Sequence, residues 1–229
     1  FEHAYIANYL GLHLVQSGDL VVRNGFLWMK SLEGLTRVDV ILRRVDDSYC
    51  DPVELRGDSL LGVAGLLEVI RSGNVVIANP LGSGILESPV LLRYLPQISK
   101  SLLGRELRMK TVPTYWCRNK DDMSYIRDHF DSLVIKPSNR SVNEHSIYGG
   151  NLSSEDKKEL LLRMEKNPYN YVAQAILQGS NLPTYHNSQL VSRPAILRSF
   201  TLASDSSYTV MPGGLTRVGN DESAFFISN

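Results

Sequence analysis

Several polar residues in this chain stand at the ends of apolar segments, where their chemistry would be exposed to a ligand. Leu133-Val134-Ile135-Lys136-Pro137 is an apolar run that ends in an ammonium group. Burying that charge without a partner is costly, so such a lysine either points at an anion or reaches solvent along its own stem. Val38-Asp39-Val40-Ile41-Leu42 runs in the same way into Arg43-Arg44-Val45-Asp46-Asp47. Guanidinium forks suit carboxylates and phosphates, and strand alternation sends Arg43 and Arg44 to opposite sides, so at most one faces a given cleft. The other reading of this cluster is an Arg–Asp ion-pair network that closes a strand end. Asn79-Pro80-Leu81-Gly82-Ser83-Gly84 follows a second buried run, Val75-Val76-Ile77-Ala78. Arg198 lies in a late strand, and Met211-Pro212-Gly213-Gly214-Leu215-Thr216 precedes Arg217. Two glycines there permit close backbone approach to a ligand, or a tight turn.

The absences narrow the chemistry. The five histidines, His3, His13, His129, His145 and His186, show no ligand spacing, which argues against a zinc site. Cys50 and Cys117 have no neighbouring His or Cys-x-x-Cys partner, and read as buried structural thiols. The chain has no Gly-x-Ser-x-Gly elbow, no Walker A motif and no Gly-x-Gly-x-x-Gly fingerprint. The common hydrolase, P-loop and dehydrogenase readings of this segment fall away.

The elements that must position these residues follow from periodicity and turn chemistry. A helix is predicted over 2–10, with Ala4, Ile6, Ala7 and Leu10 on one face and Gly11 as its stop, followed by a short strand at Leu14-Val15-Gln16. Asn24-Gly25 between two apolar runs signals a hairpin with a type I′ turn. Strands over 38–42 and 75–78 alternate with helices over 59–72 and 85–103, the latter carrying Pro89 and Pro96 and closed by Gly104. That order predicts a parallel, doubly wound sheet, with ligands beyond the carboxyl ends of its strands, where Arg43–Asp47 and Gly82-Ser83-Gly84 fall. From about Met109 the texture becomes antiparallel. A strand entry at 112–116, a helix over 121–132, the Lys136 strand and a helix capped by Ser153 or Ser154 lead into strands at 171–177, 195–202 and 208–211. The expected fold class is α/β (α+β), a doubly wound substrate-binding-like domain at 1–108 followed by mixed and antiparallel strands at 109–229.

Composition sets outer bounds. A chain of 229 residues can bury a core without staples. Lys plus Arg equals 24 and Asp plus Glu equals 24, which lacks the basic surplus of a dedicated nucleic-acid binder. No apolar run approaches the roughly 18–20 residues of a membrane span, and two cysteines are too few for a disulfide framework, so no membrane partner and a cytoplasmic location are expected. The opening on Phe1 and the apolar run at 223–229, read as a truncated strand, suggest a piece of a longer protein, with further domains of that protein as partners.

Taken in order, the segments resemble the circularly permuted ATP-grasp family of peptide-ligase-like proteins, related in fold to glutathione and glutathionylspermidine synthetases. The carrying residues are Phe1-Glu2-His3-Ala4-Tyr5, the 38–47 run, Gly73-Asn74-Val75-Val76-Ile77-Ala78-Asn79, Leu81 to Pro89, Leu133 to Pro137, Tyr171-Val172-Ala173-Gln174 and Met211 to Val218. The resemblance implies ATP and Mg2+ as cofactors, phosphorylation of a substrate carboxylate, and attack by an amine to give an amide. The implied partners are small peptide or amino-acid-like carboxylates and amines. Lys136 would reach the nucleotide phosphates and Gln174 would read the adenine. Arg198 and Arg217 would stabilise developing phosphate charge as catalytic groups. Arg44 would anchor a substrate carboxylate at the end of the cleft that holds Asp46, Asp47, Gly82, Ser83 and Gly84. The segment after Lys136, Ser138-Asn139-Arg140-Ser141-Val142-Asn143-Glu144-His145, lacks the family's Gly-rich loop, with Glu144 as an acidic group in its place. Glu87-Ser88-Pro89 stands where some relatives carry a lysine. The family's acidic metal ligands lie upstream of Phe1, so the segment by itself is expected to be inactive, and a degenerate binding or scaffolding module is the alternative.

Overall fold

The computed structural model describes residues 1–139, 145–177 and 179–219, in two compact units, Phe1–Ser88 and Pro89–Asn229. The division falls one helix earlier than the boundary expected near 105–112, because the helix Val90–Leu103 packs on the strand Thr114–Trp116. The fold is α+β, as the sequence implies.

In the first unit, α1 (Glu2–Leu10) ends at Gly11, whose φ of 65° places it in the left-handed region, so that its N–H returns to Asn8 O and the following N–H, of Leu12, to Ala7 O. Its apolar face meets no core: no α1 residue is buried. Residues 12–16, expected to include a short strand, form none. The hairpin of β1 (Leu20–Arg23) and β2 (Phe26–Ser31) turns on Asn24 (φ 52°) and Gly25 (φ 74°), the pair of positive angles a type I′ turn demands. A third strand, β3 (Gly34–Arg37), extends it to an antiparallel meander. The parallel pairing expected here forms between β4 (Val40–Leu42) and β5 (Val76–Ala78), as a two-stranded sheet.

The helix predicted over 59–72 shrinks to α2 (Leu66–Arg71), because its first half is held in turns. Gly62 lies so close to the Tyr49 and Cys50 carbonyls that a Cβ would stand 2.3 Å from Tyr49 O. Gly65 has φ 80°, and the fully buried Asp51 takes the N–H groups of Gly65 (3.3 Å) and Leu67 (3.0 Å). Those are the donors that a helix start leaves unmade. Leu27, Cys50, Val63, Leu66, Val69 and Val75 form the core of this unit.

In the second unit the helix predicted over 85–103 splits. A 3-10 turn, Ser83–Glu87, closes the first unit, and Pro89 opens α3 (Val90–Leu103), as a residue with no N–H to donate fits a helix start. A four-stranded sheet follows in the order β6 (Thr114–Trp116), β9 (Tyr171–Ala175), β7 (Leu133–Pro137) and β8 (Ile147–Tyr148). Its helices are α4 (Lys120–His129), capped by Asn119, and α5 (Ser154–Lys166), capped by Ser153. Met123, Ile126 and Phe130 from the first helix region meet Leu160 and Met164 of the second against Leu133, Ile135 and Ala173. A separate antiparallel sheet joins β10 (Asn181–His186), β11 (Gln189–Ser204) and β12 (Ser207–Val218), both late strands running far longer than alternation suggests. Glu144 and the run at 223–229 lie outside the described residues.

Candidate functional site

The β-sheet register sorts the residues of β7 and β9 into two faces. Leu133 pairs with Ala175, Ile135 with Ala173 and Pro137 with Tyr171, and on this face Leu133, Ile135, Ala173 and Tyr171 join the helix-packed core. Val134 pairs with Gln174 and Lys136 with Val172, so Lys136 and Gln174 share the opposite face as diagonal neighbours. The sequence thus brings its two expected nucleotide residues together on one sheet face. Lys136 is half-buried, and among the described residues its ammonium has no hydrogen-bond or ion-pair partner. Burial alone pushes its pKa down, the behaviour of a cation short of an anion.

Gln174 is 5% exposed and already engaged, its Nε2 donating to Thr114 Oγ1 at 3.0 Å across the register pair Thr114–Gln174. Thr114 in turn donates to Val112 O at 2.9 Å. A cavity of about 290 Å³ opens beside the end of β7, lined by Lys136, His145, Ile147, Leu160, Arg163 and Tyr171 among others. Three basic residues are among its lining and, among the described residues, no carboxylate; Ile135, Ile147, Leu160 and Tyr171 place it on the helix-packed side of the sheet, opposite Gln174.

Arg198 and Arg217 also fall together. Ile196 pairs with Arg217 and Arg198 with Leu215, which puts both guanidinium groups on one face of the β11–β12 ribbon as diagonal neighbours. Gly214 explains the glycine pair: a Cβ there would stand 2.7 Å from Arg198 O, so the backbone of β12 could not approach β11 so closely with any other residue. The register shifts just beyond, between Ser199 and Thr201.

In the first unit Asp47, Gly82, Ser83 and Gly84 come together around Arg43 rather than Arg44. That guanidinium donates to Asn79 O (2.7 Å), Pro80 O (3.2 Å) and Val45 O, and pairs with Asp47 Oδ1 at 2.6 Å. Asp47 Oδ2 accepts the N–H groups of Gly82 (3.0 Å) and Gly84 (3.1 Å). The Gly-Ser-Gly turn therefore presents its amides to a carboxylate of its own chain, with Ser83 Oγ 3.5 Å from Arg43 Nη2. Asp46 precedes the 3-10 turn Asp47–Tyr49 and gives its carbonyl to the Cys50 thiol. Arg44 points elsewhere and pairs with the exposed Glu2. The signal for Arg43 was its identity as the arginine alternating opposite to Arg44; which of the two turned inward depended on the turn after β5 supplying the Asn79 and Pro80 carbonyls.

Arg93 and Asp122 escaped the sequence reading. Arg93 Nε and Nη2 grip the buried Asp122 at 2.8 and 3.1 Å, and Asp122 also accepts Trp116 N–H at 3.0 Å. This bidentate pair ties α3 to the start of α4 and lines a cavity of about 230 Å³, with Thr114 in its wall. The hydrogen bonds to Asp122 hold the Arg93 pKa up. Nothing in spacing marks a contact between residues 29 positions apart. Cys117 is inert, its thiol pushed up to about 12 by burial. Among the described residues no group of three His, Cys, Asp or Glu side chains gathers. No helix among them is long and apolar enough to cross a membrane.

The family model described as circularly permuted ATP-grasp type 2 matches residues 1–219. The uncharacterized protein Rv2567 of Mycobacterium tuberculosis is 46% identical over 215 residues, covering 94% of this chain and 24% of that protein. The uncharacterized protein sll0335 of Synechocystis is 40% identical over 218 residues, covering 95% of this chain and 45% of its own length. A second M. tuberculosis protein, the uncharacterized Rv2411c, is 34% identical over 218 residues, with 40% of it covered. The chain thus spans less than half the length of these relatives.

Proposed function

The chain belongs to the circularly permuted ATP-grasp type 2 family, and from that premise we propose that it is the nucleotide-binding part of an ATP-dependent carboxylate–amine ligase. The observation that supports this reading is Lys136, a half-buried ammonium with no partner among the described residues, on the same sheet face as Gln174. An ATP phosphate is an anion of the right kind to receive it. ATP, when bound, supplies a phosphoryl group that turns a carboxylate into an acyl phosphate; an amine then displaces phosphate, leaving an amide, ADP and inorganic phosphate. In this reading Lys136 holds the nucleotide phosphates. The Gln174 amide, fixed by Thr114, keeps the strand beside the adenine edge in one register. Arg198 and Arg217, held on one face by the Gly214 close approach, oppose the charge that develops on the transferred phosphoryl group. Arg44 offers a carboxylate anchor whose present partner, Glu2, is exposed and exchangeable.

A binding module without catalysis is the second reading. The run from Ser138 to Tyr148 carries no glycine, where a phosphate-covering loop would need close backbone approach.

Thermal unfolding of the full-length protein with Mg-ATP tests the first step. A ligand at a hundred times its dissociation constant adds about 2.7 kcal/mol, which Lys136→Ala is expected to abolish. No shift in the parent protein would sink the nucleotide reading. A shift without release of ADP and phosphate in the presence of any carboxylate and amine would favour the binding module.

A further inference from the structure

The parallel pair β4–β5 is half-covered. Its register sets Val40 opposite Val76, Ile41 opposite Ile77 and Leu42 opposite Ala78. Alternation therefore places Ile41 and Ile77 on one face and Val40, Leu42, Val76 and Ala78 on the other. Ile41 packs on the core of the first unit. Within the first unit, nothing among the described residues covers the opposite face: Val40 is 64%, Leu42 40% and Val76 62% exposed, and none of its four residues is charged or polar.

Such a face is at odds with how parallel strands are stabilised. Antiparallel sheets often leave one side to water, and then alternate apolar with polar residues; parallel strands occur almost only with both faces covered, and read as unbroken apolar runs. Within the strands themselves, Val40-Ile41-Leu42 and Val76-Ile77-Ala78 are of the second kind. A sheet of two strands is also marginal without further packing. The meander β1–β3 in the same unit is no precedent, being antiparallel.

The relatives supply the missing material. They match this chain over almost its whole length, yet carry more than half of their own length outside the matched region. Parallel strands are joined by crossovers that are usually helical, and those helices lie on the sheet faces. We propose that the bare face formed by Val40, Leu42 and Val76 seats an amphipathic helix of the longer polypeptide, from outside residues 1–219. The helix presents an apolar stripe of i, i+3, i+4, i+7 residues to these three side chains. This inference is independent of the nucleotide reading.

The test places a photo-crosslinking residue, p-benzoylphenylalanine, at Val76 and separately at Val40 in the full-length protein, and maps the linked peptides by mass spectrometry. The expected result is an intramolecular link from both positions to one peptide outside residues 1–219. A link to a peptide within that range, a link to a second copy, or no link overturns the proposal. If the bulky residue prevents folding, Val76→Cys serves instead, read against the unsubstituted protein, since Cys50 and Cys117 of this chain are buried. Leu32→Cys, at the fully exposed β2–β3 turn (108%), is the reference. Labelling of Val76→Cys at least about tenfold slower, and unchanged on dilution, is expected of a face covered within one chain. Equal rates, or protection lost on dilution, overturn it.

Discussion

Arg43 and Lys136 stand at the ends of two apolar strands, β4 and β7, and the structure treats them in opposite ways. Arg43 has spent its donors on its own chain, on the Asn79, Pro80 and Val45 carbonyls and the Asp47 carboxylate. Lys136 has spent none among the described residues. The chemistry of the two head groups explains the difference: a rigid five-donor fork can satisfy several fixed acceptors at once, whereas an ammonium on a flexible stem is a point charge that follows a mobile anion. The lesson is that a basic residue at a strand end is a site only where the fold leaves it unmatched. By that criterion the first cluster is a clasp between two loops, and the second is the one we propose as an anion receptor.

The sharpest way to break this comparison is to remove the clasp. Arg43→Met keeps the stem but leaves the Asp47 carboxylate without its cation. Deleting one partner of a largely buried ion pair costs about 3–5 kcal/mol, and the Arg43 side chain is only 10% exposed. Urea unfolding is expected to move to a lower midpoint by that amount with an unchanged slope. A loss below about 1 kcal/mol would mean that Arg43 is no clasp, and that the Gly82–Gly84 amides are free to take a ligand anion.

Lys136 gives a smaller and differently signed response. Burial lowers its pKa in the folded protein, so between that value and the unfolded value of 10.5 the folded state binds fewer protons. Stability therefore rises with pH across that window, and below it the buried charge is a standing cost. Without nucleotide, Lys136→Met is expected to flatten that rise and to leave stability at neutral pH unchanged or higher. With Mg-ATP the sign reverses: an anion favours the ammonium, so affinity falls as pH climbs through the folded pKa, by at most about tenfold per pH unit. Titration calorimetry across pH 7–10 with the parent and Lys136→Met proteins checks both arms. A pH-independent affinity in the parent would remove Lys136 from the phosphate site.

How far these roles were legible in the sequence varies with what sets them. The Asn24-Gly25 hairpin, the Gly11 and Gly104 helix stops and the Lys136 strand were readable because each depends on its own residues. So was the family, since an ordered series of segments is more specific than any one of them. The helix over 59–72 was not, because its first turn is overruled by Asp51 and by carbonyls from residues 49–50. Nor was the length of β11 and β12, whose partners are each other across a bulge that breaks alternation. The choice between Arg43 and Arg44, and the Arg93–Asp122 pair, belong to the same class, set by residues far along the chain. Local rules name the candidates, and tertiary contacts assign them.

Arg44 supplies the finest test of that assignment. It differs from Arg43 by one position and by its entire environment, its guanidinium sharing, among the described residues, the exposed carboxylate of Glu2. Exposed pairs of this kind contribute at most about 1 kcal/mol, and α1, which carries Glu2, buries nothing that the pair would need to hold in place. Arg44→Ala is therefore expected to shift the urea midpoint by less than that amount and to leave ATP-dependent stabilisation as it is. Raising the salt concentration should erase even this difference, since screening acts fully on exposed charges. If Arg44→Ala instead destabilises as much as Arg43→Met, the two arginines share one network, and alternation along β4 does not separate clasp from anchor.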